Sequence, residues 1–318
     1  MKTGGGQGVQ FKQMGLNSHT MPTNGYISVC ICTYKRLKHL TKLVNGLQHQ
    51  GTDGLFTYSI VVVDNDYTRS AEQTVEDLRR HSSVPIRYYN EPEQNIALAR
   101  NRAVANAKGD FIAFIDDDEV PSANWLTDLY KACADFHADG VLGPVVPSYE
   151  GETPKWVVRG KFHERPTHRT GEVLHWRNMR TGNVLLRRSI FDNGERQFRR
   201  EFGRGSEDTD FFRRMTAKGF RFVWCGEAPV YEAVPAERCT RSFLLRRALL
   251  RGRAPYFTTV DFVKSAIAVP LYTVALPFLL AAGHHLFMKY LIKDFDHLGR
   301  LLALCGIDVI KENYVSSR

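Results

Sequence analysis

Cysteine is scarce in this chain and never grouped: six thiols in 318 residues, at positions 30, 32, 133, 225, 239 and 305. Their spacing suits neither a zinc framework nor a disulfide scaffold, so free thiols in a cytosolic protein are expected. The first 25 residues hold no apolar stretch. Rich in Gly, Gln, Asn and Thr, they do not read as a signal peptide and are expected to form a disordered tail. No internal repeat is present, which excludes a solenoid or propeller. Acidic residues are missing from 238–253, a stretch that carries six arginines, at 238, 241, 246, 247, 251 and 253. The run 265–288 contains no charged residue at all.

What is present is enough for a sizeable core: 43% hydrophobic and 11% aromatic residues. With 43 Lys and Arg against 34 Asp and Glu, the formal charge is +9. That excess suits an anionic partner, which could be a nucleoside diphosphate, an acidic lipid or a nucleic acid.

Apolar runs at 26–33 (YISVCICT), 58–63 (YSIVVV) and 111–115 (FIAFI) read as buried strands. Pro85 to Tyr89 reads as a shorter strand. Helical spacing follows at 37–47, 71–81, 96–108 and 125–136, with Asn95 as the expected cap of the third. Strands that alternate with helices imply an α/β fold with a mainly parallel sheet and right-handed crossovers. Ligands of such sheets bind beyond the carboxyl ends of the strands. Two acidic clusters stand there, Asp64-Asn65-Asp66 and Asp116-Asp117-Asp118, so both are expected on one edge.

Three adjacent carboxylates after a buried strand repel one another, and a divalent cation with oxygen ligands is the natural compensation. Mn²⁺ or Mg²⁺ is therefore the expected cofactor; the bland alternative is a solvated acidic turn before a helix capped by Ser122. Glu207-Asp208 opens a further predicted helix, where the dipole keeps a carboxylate ionised. An ionised carboxylate facing a hydroxyl can act as a general base, although plain helix capping uses the same residues.

Six segments in this order resemble glycosyltransferase family 2: CTYKR (32–36), VVVDND (61–66), NIALARNRAV (95–104), GDFIAFIDDDEVP (109–121), TGNVLLRR (181–188) and GSEDTDFFRR (205–214). The resemblance implies a GT-A fold, a Rossmann-like sheet flanked by helices, over 26–237. It implies that Thr33 and Arg36 lie near the nucleotide and that Asp64 reads the base. Asp116 and Asp118 would form the DxD-like element for ribose and metal, Gly182 and Asn183 would line the pocket, and Asp208 would be the catalytic base. Arg100 would meet the nucleotide or a strand-end Asp. The stretch YEAVPAERCTRSFLLRRALLRG (231–252) looks like the succinoglycan-type exopolysaccharide subgroup, through Glu232, Arg238, Arg246, Arg247 and Gly252. A Gln-x-x-Arg-Trp element is absent, which favours adding one sugar per visit. Arg246, Arg247 or Arg251 would add positive charge near the diphosphate.

The expected activity is thus an inverting transfer of a sugar from a nucleoside diphosphate donor, most simply a UDP-sugar, to a lipid-linked glycan in exopolysaccharide or cell-surface polysaccharide synthesis. A sugar-nucleotide pyrophosphorylase would carry a Gly-rich phosphate loop where CTYKR stands. A non-catalytic glycan-binding protein of the same fold is the other rival. Residues 238–318 are expected to form a basic and hydrophobic helical region on the membrane. The run 265–288 is long enough to span a bilayer, but Pro270 and Pro277 interrupt it and His284 and His285 weaken one end, so a membrane-embedded or re-entrant segment, a helix pair lying on the membrane with the arginines on anionic lipid, and a buried core helix all stay open. The basic flank places the catalytic domain on the cytoplasmic face of the inner membrane. Nucleic acid is not expected as a partner, because the arginines adjoin an apolar run.

Overall fold

The computed structural model describes residues 21, 24–192, 197–203, 205–251, 256 and 258–307. Most of the tail expected over 1–25 lies outside them, as do Gly252 and Arg253. The order of elements is β1 (Gly25–Thr33), α1 (Leu37–Leu47), β2 (Phe56–Asp64), α2 (Glu72–Arg80), β3 (Ile86–Asn90), α3 (Ile96–Asn106), β4 (Phe111–Ile115), β5 (Glu119–Pro121), α4 (Trp125–Asp135), β6 (Gly140–Leu142), β7 (Val145–Tyr149), α5 (Lys155–Gly160), β8 (Asn183–Arg187), α6 (Glu207–Ala217), β9 (Phe222–Trp224), β10 (Val230–Val234), α7 (Arg241–Arg251), α8 (Thr259–Ala282) and α9 (His284–Leu304).

Seven strands form one sheet in the order β3-β2-β1-β4-β8-β6-β9. The first four are mutually parallel, and β8 runs antiparallel between β4 and β6. Strand side chains alternate between faces. Ile60 and Val62 join α1, α2 and α4 in one apolar layer, whereas Val61 and Val63 join α3 and α6 in the other. Both faces are therefore covered, which is why β2 reads as an unbroken apolar run rather than an alternating one. Asn95 caps α3 as expected, accepting from the N–H groups of Ala97 and Leu98.

Three features depart from the sequence reading. A second sheet, β5-β10-β7, stands beside the first and was not foreseen; its strands are three to five residues long, too short to leave a periodic signal. Ser122 does not cap α4: the cap position is Asn124, with no side-chain bond. The apolar run 265–288 is interrupted, as expected, but not at its prolines. It crosses a break at Gly283, which separates α8 from α9, while α8 passes through Pro270 and Pro277 unbroken. Each proline removes only one backbone donor, and both lie on the exposed side of the helix, where their rings meet little.

Candidate active site

The acidic runs converge because parallel strands place their carboxyl ends on one edge. Thr33 and Asp64 are register partners at the ends of β1 and β2, and β4 lies on the other side of β1. β8 enters the same edge from the opposite direction, pairing Asn183 with Ile115.

At the end of β2, Asp64 is fully buried. It accepts from the N–H of Ala71 at 2.7 Å, the N–H of Asp66 at 3.1 Å and the hydroxyl of Tyr88 at 3.1 Å. Burial pushes its carboxyl up from the ordinary range, and those three donors oppose the shift. Its oxygens fix the 65–71 loop. Asp66 is held by Thr68, with Lys35 3.8 Å away.

The run after β4 is compensated differently, by guanidinium groups. Asp117 accepts from Thr33 Oγ1 at 2.8 Å and from Arg36 Nη1 at 3.0 Å. Burial raises its carboxyl to about 6 even so. Asp118 receives Arg36 Nη1 and Arg238 Nη2, each at 3.2 Å. Asp116 keeps a side chain that is 45% exposed, with Arg100 Nη2 3.5 Å from Oδ1. Its carboxyl is pushed up by the surrounding fold; Arg100 opposes this and Asp118 adds to it. Gly182 lies directly beneath: a Cβ there would sit 2.9 Å from both Asp116 Oδ2 and Glu119 Oε1, so only glycine leaves those oxygens clear.

Arg100 links this cluster to α6. It is buried, hydrogen-bonds Glu207 in the first turn of that helix, and reaches Asp116 with its other nitrogen. Asp208 follows Glu207. It is partly exposed, accepts from the N–H of Thr209 at 2.6 Å, and has Arg180 Nε at 3.8 Å. The structure therefore brings Thr33, Arg36, Arg100, Asp116, Asp118 and Gly182 together, with Asp208 tied in through Glu207. Asn183 is committed to the fold. It donates to the carbonyls of Pro144 and Ala228 and accepts from Trp125 Nε1.

The small sheet supplies Glu119, which sequence reasoning missed, and places it against Glu232, which the sequence marked only through the subgroup resemblance. Glu119 on β5 and Glu232 on β10 are cross-strand partners, an unfavourable pairing if both were ionised. Burial drives the Glu119 carboxyl well up, towards the neutral acid. One oxygen accepts from the Asp116 N–H, while Oε1 is buried without a partner among the described residues. Glu232 is gripped by Arg165 at 2.7 Å and Arg238 at 3.3 Å. Arg165 lies in a stretch with no periodicity to mark it. Arg247 of α7 faces the same group; burial lowers its pKa, Glu232 opposes this, and it forms no hydrogen bond or ion pair among the described residues. Arg251, by contrast, is turned away and bonds Asp296 of α9 through two contacts of 3.0 Å. His163 is buried nearby and held neutral, its pKa pushed down to about 4 by burial and then by Arg247.

Among the described residues no three His, Cys, Asp or Glu side chains form a metal cage. The donor set still suits a hard cation. Asp116 offers an accessible carboxylate over Gly182, and Mg²⁺ or Mn²⁺ commonly takes one or two carboxylates and completes its shell with water and phosphate oxygens.

Comparisons with known proteins agree with this geometry. The family description "Glycosyl transferase family 2" matches residues 28–194. The chain is 36% identical over 230 residues to succinoglycan biosynthesis protein ExoM of Rhizobium meliloti, covering 72% of this chain and 73% of that protein. It is 24% identical over 212 residues to a glucosyl-dolichyl phosphate glucuronosyltransferase of Haloferax volcanii, covering 64% and 61% of the two chains. Among solved structures, S. aureus TarS 1-349 in complex with UDP-GlcNAc superposes with a TM-score of 0.50 at 15% identity, over 90% of this chain and 95% of that one, a likeness of fold. With the family matched over more than half its length and these strand ends in place, the chain belongs to glycosyl transferase family 2 and is a glycosyltransferase with the GT-A fold.

Proposed function

We propose that this enzyme moves a sugar from a UDP-sugar to a lipid-linked glycan, with inversion, during synthesis of an exopolysaccharide or cell-surface polysaccharide. One observation carries the reading: Arg100 joins Asp116, the accessible acid of the strand edge, to the first turn of α6, where Asp208 stands. A donor-side acid and a candidate base are thereby held by one buried side chain. The likeness to ExoM supports the polysaccharide context, TarS bound to UDP-GlcNAc supports a uridine donor, and the Haloferax relative's name supports a lipid-linked acceptor.

In this reading the nucleotide lies over the ends of β1 and β2, beside Thr33 and Arg36, on the loop that Asp64 fixes. Asp116 and Asp118 would hold Mn²⁺ or Mg²⁺, which would supply charge to the leaving diphosphate. Arg247, which forms no ion pair among the described residues, would add positive charge for the developing negative charge of the diphosphate. Asp208 takes the proton from the acceptor hydroxyl. That oxygen bonds to the anomeric carbon as the bond to the diphosphate oxygen breaks, and the electron pair leaves with the diphosphate. Gly182 keeps the floor of the pocket low enough for the sugar to lie against Asp116. Membrane contact through the C-terminal helices, with the catalytic domain on the cytoplasmic side, brings the enzyme to such an acceptor.

The test is transfer and donor hydrolysis by purified membranes containing the protein, across UDP-, GDP- and dTDP-sugars, with Mn²⁺ or Mg²⁺ and an EDTA control. Selective, EDTA-sensitive release of UDP is expected. Asp208→Asn is expected to bind donor and lose nearly all turnover; an active Asp208→Asn enzyme removes that residue from the role of base.

A further inference from the structure

α8 carries a stripe of bare apolar side chains: Val260, Val263, Ile267, Leu271, Val274 and Phe278, each between 49% and 75% exposed. Their spacing of three and four residues keeps them on one face of the helix. Its other face rests on α9. There Ser265 Oγ meets His297 Nδ1 at 3.0 Å, Thr273 donates to Asp294 at 3.3 Å, and the rings of Tyr272 and Tyr290 lie 5.5 Å apart. At 24 residues α8 is about 36 Å long, enough to cross a bilayer. Length therefore does not decide how it sits.

The packing of α9 decides it. Near the start of α9, His284 packs edge-on against Trp156 of α5 at 5.2 Å. Toward its end, Asp296 pairs with Arg251 of α7, and Gly299 lies so close to α7 that a Cβ would come within 2.6 Å of the Leu249 carbonyl. Met288 and Ile292 bury between these points, against Leu244 and Ala248. α9 is thus fastened to the catalytic domain along its length, and α8 runs antiparallel along its outer side. If α8 stood along the membrane normal, α7, the Arg251–Asp296 pair and the Arg165–Glu232–Arg238 group behind it would be carried to the depth of the hydrocarbon. Each buried charge there costs several kcal/mol or more. With α8 parallel to the surface, none of them enters.

The charges around the stripe match an anionic surface. Two of the three acids of α8 and α9 are held by partners, Asp261 in the capping box with Thr258 and Asp296 on Arg251; Asp294 is buried between the helices, where one oxygen faces Thr273 and Oδ1 has no hydrogen-bond partner among the described residues. Lys264, Lys289 and Lys293 are exposed and form no ion pair among the described residues. Lys264 stands within the stripe, where its stem can follow the apolar face while its ammonium reaches the headgroups.

We infer that α8 is an in-plane membrane anchor: it lies at the interface of an anionic phospholipid bilayer with its apolar stripe among the upper acyl chains, and it does not span. This deepens the membrane contact proposed above and rests on it. With helices packed 8–10 Å apart, the axis of α7 then stands about 20 Å from that of α8, so Arg247 and the catalytic edge face the acceptor from the water side.

The test uses the full chain in a Cys305→Ser background, with spin labels on single cysteines at 260, 267, 274 and 278, bound to vesicles of phosphatidylcholine with or without 30% phosphatidylglycerol. The four labels are expected to share one shallow depth. A label at 264 is expected nearer the aqueous phase. Binding is expected to rise at least tenfold with the anionic lipid and to fall with added salt. Leu271→Glu combined with Phe278→Glu is expected to reduce vesicle binding at least tenfold while UDP-sugar hydrolysis in solution is unchanged. A depth profile that deepens toward the middle of α8, with its ends on opposite sides, overturns the in-plane geometry and leaves membrane contact standing. A chain that stays off vesicles and instead dimerises through this face, seen as a doubled mass in light scattering that Leu271→Glu abolishes, overturns both. Loss of donor hydrolysis in every form would tell against the glycosyltransfer reading alone.

Discussion

Two acidic runs follow β2 and β4, the strands on either side of β1 in one mainly parallel sheet, and in the sequence they look alike: Asp-Asn-Asp after β2 and Asp-Asp-Asp after β4. Their surroundings differ in kind. Asp64 is closed off by two backbone N–H groups and a tyrosine hydroxyl. The second run is neutralised by Arg36, Arg100 and Arg238, and Asp116 still opens to solvent. Backbone donors cannot leave without unfolding a loop. Guanidinium groups can exchange a carboxylate for a phosphate at little cost, because both offer the same paired oxygens. The first acid is part of the frame, and the second belongs to a site able to trade partners with a ligand.

Substitutions separate the two. The largest effect is expected for Asp116→Asn: a fall of at least 100-fold in UDP-sugar turnover, with a melting temperature within a few degrees of the parent. A large loss of Tm would mean that Asp116 is framework too. Asp64→Ala is expected to act in the opposite way, leaving two N–H groups and a hydroxyl without an acceptor. A cost of about 3 kcal/mol would lower Tm on the order of 10 °C. Thermal unfolding monitored by circular dichroism distinguishes the two outcomes, and an Asp64→Ala protein of parental stability would break the contrast.

Next comes the basic side of the second cluster. His163 is held neutral by burial and by Arg247, its pKa near 4 against an ordinary 6.5. A depressed base stabilises the fold above pH 6.5, and that contribution is lost as pH falls through 4. The loss is expected to be about 2–3 kcal/mol. His163→Phe should flatten the acid limb of stability between pH 6.5 and 4, as urea midpoints at a series of pH values would reveal. An unchanged slope would place the titration elsewhere. The smallest effect is expected for Tyr88→Phe, which removes one of three donors to Asp64 and should cost about 1 kcal/mol without altering turnover.

Much of the site was legible before the fold was known. β1, β2 and β4 announce themselves as unbroken apolar runs because both faces of the sheet are covered, and the acids that end them had to share an edge once the strands were parallel. The helix expected over 96–108 followed from its Asn95 cap and its alanines, which let α3 approach the sheet closely, and it ends two residues early, at Asn106. Glu119, Arg165 and His163 were not legible. They lie on three-residue strands and loops, where no period marks them, and their importance comes from neighbours far away in sequence. Asn183 shows the converse: its place in a motif drew attention to the pocket, whereas its amide bonds Trp125 and two carbonyls of the frame.

The sequence by itself determined the parallel α/β sheet, the edge on which the acids gather, and the presence of an apolar helix near the carboxyl end, because hydrophobic period and strand-end chemistry are local properties. Only the tertiary structure decided which acids are sealed and which stay open, that Arg100 joins α3, β4 and α6, and that α9 is fastened to the catalytic domain while α8 packs on it along one side and is bare over the rest of its circumference. Those are questions of who stands opposite whom, and long-range packing alone sets the partners that compensate a charge.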